Sequence, residues 1–167
     1  KGLGVLTWKS YLPLITIVTL IFAATIAVSW SDLNMGMFSP LRFATNFMAG
    51  FFIVFAGFKL LDLKGFAEGY STYDLLAQKL FGYGYIYPFI ELGFGLAMLT
   101  GINSPQLLWA EVIVMAFSGL GVAIKMMQGE IVKCVCLGTI LKVPLTSVTL
   151  VEDFGMAILA LTLVLLK

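Results

Sequence analysis

Residues 11–30 read YLPLITIVTLIFAATIAVSW, a run of twenty residues without a charge. A helix of about 20 apolar residues spans the hydrocarbon core of a bilayer, which is about 30 Å thick. The whole chain has a similar character: of its 167 residues 60% are hydrophobic and 11% are charged, and the mean hydropathy is +1.03. A soluble domain does not carry so many apolar residues. The sequence therefore predicts an integral membrane protein.

Four further stretches have the length and apolar character of membrane spans. Together with the first, the predicted spans are residues 11–30, 43–61, 85–101, 107–127 and 148–166. Between the second and third spans, residues 65–84 carry aromatic residues and leucines at helical spacing among charges, which is typical of an amphipathic helix in the membrane interface. The predicted fold is all-α, a polytopic transmembrane helical bundle with one interfacial helix.

Lysine and arginine are unevenly distributed over the predicted loops. With five spans, eight of the ten Lys and Arg residues fall on one side, and only Arg42 and Lys167 fall on the other. The positive-inside rule assigns the richer side to the cytoplasm. This places the amino terminus and the loop after the fourth span in the cytoplasm, in a protein expected in a bacterial inner membrane.

The loop after the fourth span contains both cysteines of the chain, in KCVCLG (residues 133–138). Cys134 and Cys136 are one residue apart, and Val135 between them favours extended backbone. A disulfide between them would therefore close a small and strained ring. Strained disulfides suit exchange chemistry better than bracing, and Lys133 beside the pair favours the reactive thiolate.

A soft metal is an alternative use of the same thiols. The chain has no histidine and only two cysteines, which makes a four-ligand zinc site implausible. Two thiolates with the thioethers of Met126 and Met127 would suit Cu(I) or Hg(II). In a third interpretation the cysteines are small hydrophobic residues at a helix end, in a structural subunit of a membrane complex.

Ionisable residues inside the predicted spans are costly in lipid and are expected to face the bundle interior. Glu91 is the seventh residue of the third span and is predicted to be a polar centre, structural or functional. Lys59 either pairs with Glu91 or, in the favoured interpretation, extends to the lipid headgroups. Glu111 is expected to be hydrated, and Glu152 and Asp153 are expected near the positive end of the last helix dipole.

Three stretches resemble a known family: FKLLDLKGFAEGY (residues 58–70), YIYPFIELGFGLAML (85–99) and KCVCLGTILKVPLTSVTLVEDFGM (133–156). They look like the MauE branch of the DoxX-like membrane proteins. The resemblance implies a four-helix membrane domain in residues 43–167, preceded by one helix and its loop in residues 1–42. It also implies a redox-associated role, in which Cys134 and Cys136 exchange disulfides during maturation of a partner protein, as in methylamine dehydrogenase assembly. Some relatives resemble proteins with a fused heavy-metal-binding domain.

The sequence favours thiol–disulfide exchange with a protein partner, narrowly, over soft-metal transport with a metal-donor protein. The predicted cytoplasmic position of the cysteine loop favours the soft-metal function instead, because cytoplasmic thiols are normally kept reduced. Whether the chain is an enzyme stays open. The net charge is only +1, and no motif indicates a nucleic-acid partner, so the expected partners are the lipid bilayer and another protein.

Overall fold

The computed structural model describes residues 11–102, 104–128 and 146–166, and both cysteines lie outside these ranges. Within them the chain forms helices and no strand, which confirms the all-α prediction. The helices are α1 (Leu12–Asn34), α2 (Pro40–Leu61), α3 (Leu63–Tyr70), α4 (Gly82–Leu99), α5 (Pro105–Met127) and α6 (Thr146–Leu165). By length and composition, α2, α5 and the Leu12–Trp30 part of α1 can cross a membrane.

The helices α2 and α5 begin with the same Ser-Pro signal. The side chains of Ser39 and Ser104 accept hydrogen bonds from the backbone N–H three residues later, at 3.4 and 3.3 Å. Pro40 and Pro105 are the first helical residues, where the missing N–H of proline forfeits no hydrogen bond. With these caps, α2 begins three residues before the predicted span 43–61, and α5 begins two residues before the predicted span 107–127.

Two antiparallel helix pairs, α2 with α4 and α5 with α6, form the core, and α1 packs against α2. Each pair approaches closely at a glycine. A Cβ atom on Gly95 of α4 would lie 2.8 Å from Ile53 Cγ1 and 3.0 Å from the Ala49 carbonyl oxygen of α2. A Cβ on Gly119 of α5 would lie 3.1 Å from the Phe154 ring of α6. Small residues of this kind allow close packing of helices in lipid.

Residues 65–84 do not form the predicted interfacial helix. The helix α3 ends at Tyr70, and the chain then continues in turns as far as α4. Asp74 organises these turns, since its Oδ1 accepts hydrogen bonds from the N–H groups of Leu76 and Ala77 at 2.9 and 2.8 Å. An aspartate that binds backbone N–H groups in this way competes with helix continuation. The prediction of one long helix is therefore wrong.

The first three aromatic side chains of this segment lie inside the bundle rather than in the interface. Phe66, Tyr70 and Tyr73 are only 1–2% exposed. The turn also contacts α5 closely, because a Cβ on Gly121 would lie 2.7 Å from the Tyr73 carbonyl oxygen. The segment after α2 therefore folds back into the core and covers one end of the bundle interior.

We predict that Gly95→Ala lowers the free energy of unfolding in detergent by about 1–3 kcal/mol, because the new methyl group collides with the backbone and side chains of α2. Gly93→Ala is the matched control, since a Cβ at Gly93 has no atom within 4 Å. The control should be neutral or stabilising by up to about 1 kcal/mol. Equal denaturation curves for the two variants would contradict this close approach of α2 and α4.

Candidate functional site

A buried ion pair connects α2 with α4. Lys59 Nζ lies 2.6 Å from each carboxylate oxygen of Glu91, and the two side chains are only 5% and 4% exposed. The same ammonium lies 5.5 Å from the centre of the Phe66 ring and 5.3 Å from that of Tyr87, within the range of cation–π attraction. The pairing interpretation is confirmed. The favoured interpretation, in which Lys59 extends to the headgroups, is wrong because the chain after α2 folds over this side chain.

The helix α6 brings two more carboxyl groups to the ion pair. Asp153 is buried and Glu152 is partly buried, and both line a cavity of about 10 Å³ together with Lys59. A cavity of this size has room for about one water molecule. Glu152 Oε2 and Asp153 Oδ2 are buried and have no hydrogen-bond partner within the described residues. Glu152 and Asp153 are the seventh and eighth residues of α6, which begins at Thr146, and so lie in the amino-terminal turns of that helix, as the sequence predicts.

Hydroxyl groups line the same small cavity as these carboxyl groups. The Tyr70 hydroxyl donates a hydrogen bond to Asp74 Oδ2 at 2.9 Å and lies 3.3 Å from Ser118 Oγ of α5. Burial raises the pKa of Tyr70 and of Tyr73 well above the ordinary tyrosine value. Both hydroxyls therefore stay protonated and can donate hydrogen bonds.

These side chains form one group where five helices, α2 to α6, meet. We call it the polar cluster and define it as Lys59, Tyr70, Glu91, Ser118, Glu152 and Asp153. It contains one ammonium and three carboxyl groups. A buried charge without a partner costs several kcal/mol, so a neutral cluster requires protons or another cation to balance the two remaining carboxyl groups. Two of the three carboxyl groups therefore hold protons unless another cation lies beside them.

The cysteine-containing segment connects the end of α5 with the start of α6 along the chain. Each of these two helices contributes to the polar cluster, with Ser118 in α5 and with Glu152 and Asp153 in α6. Met126 and Met127, in the last turn of α5, are 45% and 86% exposed. Within the described ranges, no group of three or more His, Cys, Asp or Glu residues could hold a metal ion. Because the cysteines lie outside those ranges, the Cu(I) or Hg(II) site stays a prediction.

Parts of the buried polar network were missed by the sequence interpretation. The pattern of residues 65–84 predicts that Tyr70 and Tyr73 lie on an interfacial helix. Nothing in the sequence marks Asp74 or Ser118 as part of a buried polar site. Only the spacing of Tyr70 and Asp74, one helical turn apart, hinted that they could form a hydrogen bond. Glu111, expected to be hydrated, is fully buried, and neither of its carboxylate oxygens has a hydrogen-bond partner among the described residues.

We predict that Lys59→Met lowers the free energy of unfolding in detergent by about 3 kcal/mol, because it leaves the Glu91 carboxylate buried and unpaired. The double variant Lys59→Met/Glu91→Leu should recover at least half of this loss, since it removes both charges. Lys64→Met is the control. Its ammonium lies 3.9 Å from Glu68 on an exposed surface, and its loss should change stability by less than about 0.5 kcal/mol. Equal losses in the single and double variants would contradict the pairing.

The family described as methylamine utilisation protein MauE matches residues 37–166 of the chain. This range contains α2 to α6 and the segment with the two cysteines, and it leaves out α1. No curated protein and no solved structure matches the chain. The match covers well over half of the sequence and agrees with its helical membrane fold. The chain therefore belongs to the MauE family of integral membrane proteins.

Proposed function

We propose that this protein supports the maturation of a partner protein by thiol–disulfide exchange through Cys134 and Cys136. The observation that carries the proposal is the position of the pair. The pair lies in the part of the chain that the family matches. Along the chain it stands between α5, which contributes Ser118 to the polar cluster, and α6, which contributes Asp153. The family description links such proteins to methylamine utilisation. The partner is then a protein of that system that needs disulfides.

The exchange needs no group beyond the two thiols and those of the partner. When the pair is oxidised, a partner thiolate attacks one sulfur, the S–S bond breaks, and the other cysteine leaves as a thiolate. A second partner thiolate then displaces the first cysteine, so the partner gains a disulfide and the pair becomes a dithiol. A ring closed by cysteines one residue apart is strained, which favours its opening.

The polar cluster supports this chemistry because the exchange moves protons as well as electrons. The attacking thiols must lose protons, and the leaving cysteines must gain them. Asp153 is seven residues from the start of α6, which is about 10 Å along a helix. In this proposal the carboxyl groups of the polar cluster take up and return these protons.

We predict that a Cys136→Ser variant, expressed in its native membranes, forms a mixed disulfide with the partner, because the remaining thiol has no neighbour that can resolve the adduct. Non-reducing electrophoresis and mass spectrometry should show the adduct, and a reductant should abolish it. The double variant Cys134→Ser/Cys136→Ser is the control. Failure of both single-cysteine variants to form an adduct, under oxidising and reducing conditions, would refute thiol exchange.

Soft-metal handling is the second candidate, favoured by the exposed thioethers of Met126 and Met127. Met127 precedes Cys134 by only seven residues, so thioether and thiolate ligands could meet at one ion. The purified chain would then bind one Cu(I) per protein in competition with a chromophoric chelator. Loss of binding in Cys134→Ser and weaker binding in Met127→Leu would support this function. Unchanged binding in Cys134→Ser would exclude it.

We further propose that the protein resides in a bacterial inner membrane with the cysteine-containing segment in the cytoplasm, as the distribution of lysines and arginines favours. We predict that a membrane-impermeant maleimide labels the thiols only after intact cells are permeabilised. The matched control is Met37→Cys in a background without Cys134 and Cys136. Met37 is 63% exposed in the turn after α1, on the opposite side, and should be labelled in intact cells. The reverse pattern would contradict this orientation and place the thiols in an oxidising compartment.

A further inference from the structure

An apolar groove lies between α1, α2 and α6. Its volume is about 450 Å³, which is in the range of pockets that bind small organic ligands. Its lining includes Val18, Phe51 and Met156. Among the described residues that line it, only Tyr11 and Glu152 carry polar side chains. Val151 beside it is 74% exposed, so the groove lies at the lipid-facing surface of the bundle.

Glu152 lines both this groove and the small cavity of the polar cluster. Its Oε2 atom is buried without a hydrogen-bond partner within the described ranges. A carboxyl group in an apolar wall is costly unless it finds a partner. A ligand in the groove that offers a hydrogen-bonding oxygen would supply one. Glu152 would then connect the ligand with Asp153 and the Lys59–Glu91 pair.

We propose that the groove binds the head group of a lipid-soluble quinone, with Glu152 as its hydrogen-bond partner. A quinone carbonyl accepts a hydrogen bond, whereas the hydroxyl of the reduced quinol donates one. A carboxyl group can serve both forms, because it donates when protonated and accepts when ionised. A phospholipid fits less well. Its phosphate repels a carboxylate, and its acyl chains cannot form a hydrogen bond with one. The apolar lining suits a hydrocarbon tail.

This inference rests on the proposed thiol exchange, because it names the electron acceptor that returns the pair to its oxidised state. Oxidation of Cys134 and Cys136 forms one S–S bond and releases two electrons and two protons. The quinone takes up the same two electrons and two protons and becomes a quinol. The carboxyl groups of the polar cluster lie beside Glu152 and can exchange the protons that this reaction moves.

The test measures binding of a short-chain ubiquinone analogue to the full chain in lipid nanodiscs by equilibrium dialysis. Glu152→Leu should weaken binding about tenfold, because leucine offers no hydrogen bond to the quinone carbonyl. Gly155→Leu should weaken binding at least tenfold by filling the groove. Gly155 lines the groove, and a Cβ placed there has no atom within 4 Å, so this variant should fold.

Two control variants match these changes. Gly93→Leu places the same side chain at an open position of α4, and Glu111→Leu removes a buried carboxyl that lies outside the groove. Both should bind the analogue as the unchanged protein does. Weaker binding in Gly155→Leu with full binding in Glu152→Leu would show a groove occupied by hydrocarbon chains alone and would overturn the proposal. Absence of binding to the unchanged protein would overturn it as well.

The same measurement in Cys134→Ser/Cys136→Ser separates the two proposals. Quinone binding should persist there, because neither cysteine lines the described groove. Persistent binding together with no mixed disulfide in the trapping experiment would refute thiol exchange but leave the quinone site intact. A mixed disulfide together with no quinone binding would refute only the quinone site.

Discussion

The Lys59–Glu91 ion pair is the constraint on which the rest of the bundle depends. Two opposite charges buried in a membrane bundle must meet closely, since either one alone would cost several kcal/mol. Their contact at 2.6 Å sets the register of α2 against α4, which in turn places Gly95 against the backbone of α2. It also requires a cover on the exposed side of Lys59, and the rings of Phe66 and Tyr87 provide it through cation–π contact.

The ion pair also explains why α6 can carry charges in its second turn. Asp153 and Glu152 lie near the Lys59 ammonium, which lowers the cost of placing carboxyl groups in the interior. The α2–α4 and α5–α6 pairs are each tightly packed, and the polar cluster lies where the two pairs meet. Electrostatic attraction and hydrogen bonds to Ser118 of α5 therefore help to hold together two helix pairs that apolar packing alone would join less specifically.

The helices could be predicted from the sequence because span length and hydropathy follow directly from bilayer thickness. The site could be predicted only in part. Glu91 was recognisable as a polar residue inside a span, but the burial of Lys59 and Glu111 depends on which elements cover them, and that information is absent from local sequence. The turn at Asp74 was missed because its two backbone hydrogen bonds override an otherwise regular helical pattern. The cysteine pair lies outside the described residues, so its role stays a prediction.

The position of the polar cluster bears on whether the cysteines have a chemical role. A purely structural bundle gains little from three interior carboxyl groups, because well-packed apolar residues would stabilise it equally well or better. Groups that exchange protons are useful where electrons move, since thiol oxidation releases one proton for each electron. Their location on the two helices that the cysteine segment connects, with Glu152 lining a lipid-facing groove as well, agrees with the proposed thiol exchange. The surplus of carboxyl groups therefore favours a chemical role for the cysteines over a structural one.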